Sequence, residues 1–199
     1  MKTSGDIASG NFNEFEANGF QKGVGTAKGW LDLHLSLTPL TGAGRPTRTA
    51  IVGGVFGYTW AVGNSLDVDG DVEQDHMFEE NNVTEGKLHI HVITNGTNAA
   101  ARYLKFQFEY THVNVGETII SSSLITSPEL LIPGGTPART HLVFDLGTFP
   151  TKLIGSDING ALTRIAAVGT APAADPWVSG FHIHARVDTP FGSRNTTSK

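Results

Sequence analysis

The stretch Leu31-Asp32-Leu33-His34-Leu35-Ser36-Leu37 alternates between apolar and polar side chains at every position. Successive side chains of a β-strand point to opposite faces, whereas one face of a helix is revisited every three or four residues. The alternation therefore predicts a β-strand over residues 30–37, with one face buried and the other in contact with water.

The same period of two recurs along the rest of the chain. Turn signals such as Asn95-Gly96, Pro133-Gly134-Gly135 and Asn159-Gly160 separate the alternating stretches, and no stretch has the spacing of an amphipathic helix. The pattern predicts about eight to ten strands in an all-β fold, specifically an antiparallel β-sandwich of jelly-roll type over residues 29–199. The further alternating stretches are Phe56–Val62, Leu88–Val92, Leu104–Tyr110, Thr118–Leu124, Thr140–Leu146, Leu162–Val168 and Phe181–Val187.

Residues 1–28 lack this periodicity. The segment is rich in Gly, Asn and Ser, and its three phenylalanines, Phe12, Phe15 and Phe20, follow neither strand nor helix spacing. A segment of this kind cannot bury enough apolar surface to fold alone, but it can order by placing its aromatic rings against a neighbouring chain. We therefore expect an extended N-terminal arm that places these rings against a neighbouring chain. The alternative is simple disorder at a chain terminus.

The pair Asn95-Gly96 predicts a local connection between two strands. It lies between the alternating stretches 87–94 and 102–112. Asn-Gly is the preferred centre of a tight hairpin turn, although the loop here extends to Ala101 and is longer than two residues. We expect the two flanking strands to pair as one hairpin.

The composition excludes several classes of function. The 199 residues include 14 Lys and Arg against 19 Asp and Glu, a net charge of −5, and no run of basic residues offers a surface for phosphates. The absence of cysteine excludes disulfides, thiolate metal sites and cysteine nucleophiles. Apolar runs are too short to span a membrane, and residues 1–10 lack the apolar core of an export signal. We expect neither nucleic acid nor a membrane as a partner.

Two His-x-His tripeptides are the most unusual local feature of the sequence. In a strand, each tripeptide places two imidazoles side by side on the face opposite its apolar neighbours. Neutral imidazole binds zinc, iron, nickel and copper, so the two pairs are candidate metal ligands. The alternative is that they line the wetter face of an amphipathic strand or an interface and bind nothing. The candidate ligands are His89, His91, His182 and His184.

Residues 67–73, Asp-Val-Asp-Gly-Asp-Val-Glu, place acidic side chains at alternate positions around Gly70. An EF-hand loop has its glycine at the sixth position, whereas here the glycine is fourth, so the likeness to a calcium loop is loose. We expect a solvated turn that leads into a strand over residues 71–78.

Motifs that carry catalysis are missing from the sequence. There is no Gly-x-Ser-x-Gly elbow, no Walker loop and no dinucleotide-binding glycine fingerprint after a strand. Glycoside hydrolysis requires two carboxylates that flank a cleft. Here the carboxylates concentrate in residues 67–85, a segment with the composition of a surface. We expect a protein that is not an enzyme.

Several motifs together resemble a group of small structural proteins of tailed-bacteriophage virions. The resemblance covers an acidic lead into a His-x-His strand, an aromatic-rich Glu-Tyr strand and a closing Gly-Ser-Arg segment. The stretches that carry it are Asp75–Glu80, Thr84–Val92, Phe106–Tyr110, Phe181–His184 and Gly192–Arg194.

The resemblance implies a virion protein, most specifically a capsid decoration or cement protein that forms homotrimers on the major capsid protein. Its place would be the capsid surface, after assembly in the host cytoplasm. No cofactor is implied, although a His-x-His pair at a three-fold axis could hold a transition metal.

Two alternatives remain at the level of sequence. One is a tail fibre, spike or adaptor protein that binds a host-surface glycan by stacking Trp60, Trp177 or tyrosine side chains on sugar rings. The other is a cupin-like metal-binding enzyme, which requires the His pairs to point into a barrel.

Overall fold

The chain forms β-strands joined by turns and loops over residues 2–6, 11–15, 21–24, 29–39, 43–71, 86–150 and 156–187, which the computed structural model describes. No helix occurs in these residues, which confirms the all-β prediction. The strands are β1 (Lys2–Asp6), β2 (Asn11–Phe15), β3 (Gln21–Val24), β4 (Gly29–Pro39), β5 (Thr47–Val52), β6 (Val55–Thr59), β7 (Ser65–Asp71), β8 (Gly86–Ile93), β9 (Arg102–Val113), β10 (Ser123–Thr126), β11 (Leu130–Ile132), β12 (His141–Phe149), β13 (Asp157–Ile165) and β14 (Trp177–Val187).

A membrane-spanning helix is likewise absent from this described part of the chain.

Strand β4 divides one large antiparallel sheet of eleven strands into two layers. Residues 29–35 of β4 pair with β14, whereas residues 36–39 pair with β7. Layer 1 contains β12, β8, β14, β6 and β5 with the first part of β4, and layer 2 contains β10, β9, β13 and β7 with its last part. Strand β11 pairs with β9.

The two layers enclose one apolar core. Phe181 in layer 1 packs edge-to-face against Phe108 in layer 2, with ring centroids 5.1 Å apart. This arrangement is sandwich-like, as the alternating pattern predicts, and the jelly-roll connectivity stays a prediction. The buried core residues are Leu33, Leu35, Trp60, Leu66, Val68, Leu88, Ile90, Val92, Leu104, Phe106, Phe108, Tyr110, Leu130, Ile132, Leu146, Phe149, Ile158, Leu162, Val178, Phe181 and Ile183.

The expected hairpin around Asn95-Gly96 is wrong. Strand β8 pairs with β12 and β14 in layer 1, whereas β9 pairs with β10, β11 and β13 in layer 2. The connection after β8 is held by bonds to distant segments: the Thr94 hydroxyl donates to the Pro137 carbonyl, and the Asn95 side chain donates to the Asp175 carbonyl. Both strands bury an apolar face, and they do so by facing each other across the core.

Two other expectations about strands are also corrected. Of the stretch 118–124, only residues 123 and 124 enter a strand, and Ile119 and Ile120 are 55 % and 88 % exposed. Strand β13 ends at Ile165, and Val168 is 95 % exposed. In both places the alternating pattern predicted a strand that is longer than the segment that pairs with a neighbouring strand.

The acidic stretch is a strand where a turn was expected. Residues 67–71 belong to β7 and pair with β13 on one side, and residues 67–69 pair with β4 on the other. Val68 is fully buried and Asp69 is exposed, because the two point to opposite faces of the layer. The expected strand over 71–78 and Glu73 lie outside the described residues, apart from position 71.

The first 28 residues contain three short strands that were not predicted. Strands β1, β2 and β3 form a three-stranded antiparallel sheet of their own. Phe12 and Phe15 lie in β2, and Phe20 lies outside the described residues. Main-chain pairing of this kind needs no apolar periodicity, which is why the sequence did not reveal it. The arm at 1–28 and the single domain at 29–199 stay predictions.

Candidate functional site

Six of the eight histidines lie together on the outer face of layer 1. They come from four neighbouring strands, β4, β14, β8 and β12. Because Leu88, Ile90 and Ile183 on the same strands are fully buried in the core, the alternating histidines point away from it. We call this group, together with Asp32, the histidine cluster. Its histidines are His34, His89, His91, His141, His182 and His184.

The strand register brings the rings together. His182 on β14 lies directly opposite His34 on β4 and His89 on β8. Its ring centroid is 5.6 Å from that of His34, 5.3 Å from that of His89 and 4.7 Å from that of His91. His182 is therefore the centre of the cluster, surrounded by other imidazoles.

Two residues further along β14, His184 meets a carboxylate from β4. His184 lies opposite Asp32, and its Nδ1 is 2.5 Å from the Asp32 Oδ1. The same Asp32 oxygen is 3.6 Å from the Nε2 of His182. Asp32 is thus the charged partner shared by both histidines of the second His-x-His tripeptide.

The first tripeptide has a different partner. The Nδ1 of His91 is 2.8 Å from the Nε2 of His141 on β12, and the two rings are stacked with centroids 4.9 Å apart. Gly180 lies opposite His91 on β14, and a Cβ there would lie 3.6 Å from the His91 ring. The lack of a side chain at position 180 leaves room beside this ring.

Two buried imidazole nitrogens in the cluster have no hydrogen-bond partner: the Nδ1 of His182 and the Nε2 of His91. His182 is only 4 % exposed, so water does not replace the missing partner across an open surface. A buried polar atom without a partner costs free energy, and such atoms cluster where a protein does more than pack.

Burial keeps the central imidazoles neutral. Desolvation lowers the pKa of His182 to about 4, although the nearby Asp32 acts to raise it. Desolvation also lowers the pKa of His91, with a further contribution from His141, and lowers that of His89, with a further contribution from His184. At neutral pH these rings are in the uncharged form that binds metals.

The pKa of the carboxylate is lowered as well, which favours its charged form. Burial acts to raise the pKa of Asp32, but the hydrogen bond with His184 and the charges of His182, His184 and His89 outweigh it, so that the pKa is lowered. Asp32 therefore remains ionised next to the neutral imidazoles.

All four histidines singled out from the sequence lie in the cluster, on the face that alternation predicted. The sequence analysis missed Asp32, His34 and His141. Asp32 and His34 do stand at polar positions of the first alternating stretch, but only the pairing of β4 with β14 brings them to His182 and His184. His141 begins β12, whose place beside β8 no local pattern indicates.

Within the described residues, no three His, Asp or Glu side chains are arranged to hold one metal ion. The four candidate ligands therefore do not converge as one complete site in a single chain. Whether they bind a metal stays a prediction.

The two tryptophans considered for sugar stacking are buried. Trp60 is fully buried, and its Nε1 donates to the Asn64 carbonyl. Trp177 is 5 % exposed, and its Nε1 donates to the Thr49 hydroxyl. Neither indole has a face available for a sugar ring.

A second polar group lies in layer 2, next to a cavity of about 430 Å³ that His112, Glu117 and Ile120 help to line. The Nε2 of His112 is 3.0 Å from the Ser156 hydroxyl, a pairing that also occurs in serine hydrolases. Ser156 is fully buried, however, so its hydroxyl is not placed to attack a substrate.

Comparison with known proteins yields no match to any family model, to any curated protein or to any solved structure.

Proposed function

We propose that this chain is a structural protein of a tailed-bacteriophage virion, specifically a capsid decoration or cement protein that stabilises the head through trimeric contacts with the major capsid protein. The resemblance of its motifs to those of small virion proteins is the reason for placing the chain in a virion. The observation that carries an assembly role is the set of large apolar side chains that this chain leaves exposed.

Two segments concentrate these exposed side chains. The tip of the β5–β6 hairpin carries Val52, Val55 and Phe56, which are 53 %, 59 % and 50 % exposed. The segment before β10 carries Ile119 and Ile120. Grouped exposed apolar side chains are typical of surfaces that another chain covers. A sandwich with a filled interior and such surfaces is suited to bridging neighbouring subunits.

The position of the histidine cluster favours this role over a cupin-like enzyme. A cupin holds its metal with histidines that point into the barrel, whereas here Leu88, Ile90 and Phe181 fill the interior side of the same strands. The burial of Trp60 and Trp177 likewise removes both tryptophans on which the glycan-binding alternative drew.

Immunogold electron microscopy tests the proposed location. Antibodies raised against the purified protein are applied to virions of the phage that carries this gene. We expect label over the head at many copies per particle. Label confined to the tail would favour a fibre or adaptor, and unlabelled virions would overturn the virion role.

A capsid-binding assay, in which bound protein sediments with the capsids, tests the apolar tip of the β5–β6 hairpin. We expect Phe56→Ser with Val55→Ser to weaken binding of the protein to capsids, because it removes apolar area from the hairpin tip. Val168→Ser is the matched control, since Val168 is 95 % exposed and lies outside both segments. Equal binding by both variants would exclude the hairpin as the contact.

The proposed arm is tested in the full-length chain. Replacing Phe12, Phe15 and Phe20 together with alanine should reduce capsid occupancy without changing the melting temperature of the sandwich. Full occupancy by this triple variant would show that the arm makes no essential contact.

A further inference from the structure

The tautomer of His91 decides whether its buried Nε2 offers a lone pair to a metal ion. One nitrogen of the close His91–His141 pair must carry the hydrogen, and metal-binding histidines generally donate their second ring nitrogen to a neighbouring acceptor. With the proton on the His91 Nδ1, 2.8 Å from the His141 Nε2, the Nε2 of His91 carries a lone pair. That nitrogen is buried and has no hydrogen-bond donor beside it.

The same reasoning applies to His182 with the nitrogens exchanged. Its Nε2 faces the Asp32 carboxylate at 3.6 Å, which favours a hydrogen on that nitrogen. The Nδ1 then carries the lone pair, and it too is buried without a partner. A nearby carboxylate is one of the groups that orient metal-ligating histidines, and the His141 imidazole can accept a hydrogen bond from His91 in the same way.

The two rings are spaced as two ligands of one ion. Zinc lies 2.0–2.1 Å from an imidazole nitrogen, so two rings that share an ion at coordination angles of 90–109° have centroids about 4.5 to 5.2 Å apart. The centroids of His91 and His182 are 4.7 Å apart and the rings are tilted by 59°. The ionised Asp32 at the rim offsets part of the added positive charge.

We propose that the Nε2 of His91 and the Nδ1 of His182 bind one divalent transition-metal ion of the zinc type, with His141 and Asp32 as positioning residues. Water or a side chain that turns toward the ion completes its coordination. The site joins β8 to β14 within one subunit and is independent of the proposed virion role.

Calorimetric titration of the tag-free, full-length protein with Zn²⁺ tests this site. We expect one saturable site per chain. His91→Asn and His182→Asn should each weaken that site by about 10- to 100-fold or more, since loss of an orienting partner alone costs that much. His34→Asn is the matched control, because His34 also contacts the His182 ring but is not a proposed ligand.

The competing pair is His89 and His184, whose stacked rings are 5.3 Å apart. If His89→Asn abolishes the site while His91→Asn leaves it intact, the assignment is overturned. The assignment also fails if the wild-type protein shows no saturable binding, or if His34→Asn weakens Zn²⁺ binding as much as His182→Asn.

Nitrogen NMR of the wild-type protein provides a test that needs no variant. With ¹⁵N-labelled histidine, Zn²⁺ should shift the resonances of the His91 Nε2 and the His182 Nδ1 more than those of the other ring nitrogens. The opposite pattern, with shifts at the His91 Nδ1 and the His182 Nε2, would refute the tautomers on which the site depends.

Discussion

The inner and outer faces of β8 and β14 share one backbone, but burial has opposite effects on the free energy of folding at the two faces. On the inner face, Ile90, Phe181 and Ile183 are buried and need no polar partner. On the outer face, His182 is nearly as buried, yet its Nδ1 has no hydrogen bond. Burial therefore stabilises the fold on one face and has a cost on the other, which suggests that the outer face is kept for a purpose beyond stability.

The largest effect should come from the inner face. Phe181→Ala removes a ring that packs against Phe108, and we expect it to lower the free energy of unfolding by about 3–5 kcal/mol. His89→Ala, one strand away on the outer face, should cost less than about 1 kcal/mol. Urea denaturation of both variants measures the difference, and equal losses would refute the contrast between the faces.

Acid should destabilise the outer face. The pKa of His182 falls from 6.5 to about 4 on folding, so the unfolded chain binds more protons between these values. The stability is fully present above pH 6.5 and is lost as the pH falls toward 4, by of the order of 3 kcal/mol for this group. The lowered pKa values of His89 and His91 act in the same direction.

Metal-free protein is used to measure this pH dependence, by chemical denaturation at several pH values. The groups that face His182 are His34 and Asp32 on β4, His89 and His91 on β8, and His184 on its own strand. A free energy of unfolding that stays constant from pH 6.5 to 4.5 would contradict the expected neutral state of the ring.

Replacing the central imidazole should change stability little but remove much of the acid response. In His182→Leu an apolar side chain takes the place of a buried group whose Nδ1 is unpartnered, so we expect the free energy of unfolding at pH 7 to change by no more than about 1 kcal/mol. The loss of stability on acidification should shrink at the same time. An unchanged acid response would assign it to the other histidines.

The smallest effect should come from the rim of the outer face. Lys87 and Asp145 approach to 3.8 Å, but their side chains are 42 % and 50 % exposed. Water screens such a pair, so Lys87→Gln should change the free energy of unfolding by less than about 0.5 kcal/mol. Thermal denaturation is sufficient to check this, and a loss above 1 kcal/mol would indicate that Lys87 takes part in the cluster.

Much of the fold follows from local pattern. The alternation around Leu88, Ile90 and Val92 predicts both the strand and its buried face, and the same holds for Leu33 and Leu35. The pattern fails where an apolar residue alternates without a neighbouring strand to pair with, as at Ile119 and Val168, both of which are exposed.

The sequence predicted each His-x-His pair of the site but not how the two pairs come together. Each His-x-His tripeptide places its two rings on one face because the period of a strand is a property of the covalent backbone. No such rule relates His91 to His182, which are 91 residues apart in the chain and meet because β8 pairs with β14. The prediction of a hairpin at Asn95-Gly96 was wrong for the same reason, because a turn signal does not determine which layer the next strand joins.

The sequence by itself thus determined the all-β class, the alternating strands and the face on which the four histidines of the two His-x-His tripeptides lie. The tertiary structure decided which strands are neighbours, and with that the meeting of six imidazoles with Asp32 at their rim and the two buried nitrogens without partners. The physical reason is that side-chain direction is set within a few residues, whereas strand order results from many long-range contacts that compete over small differences in free energy.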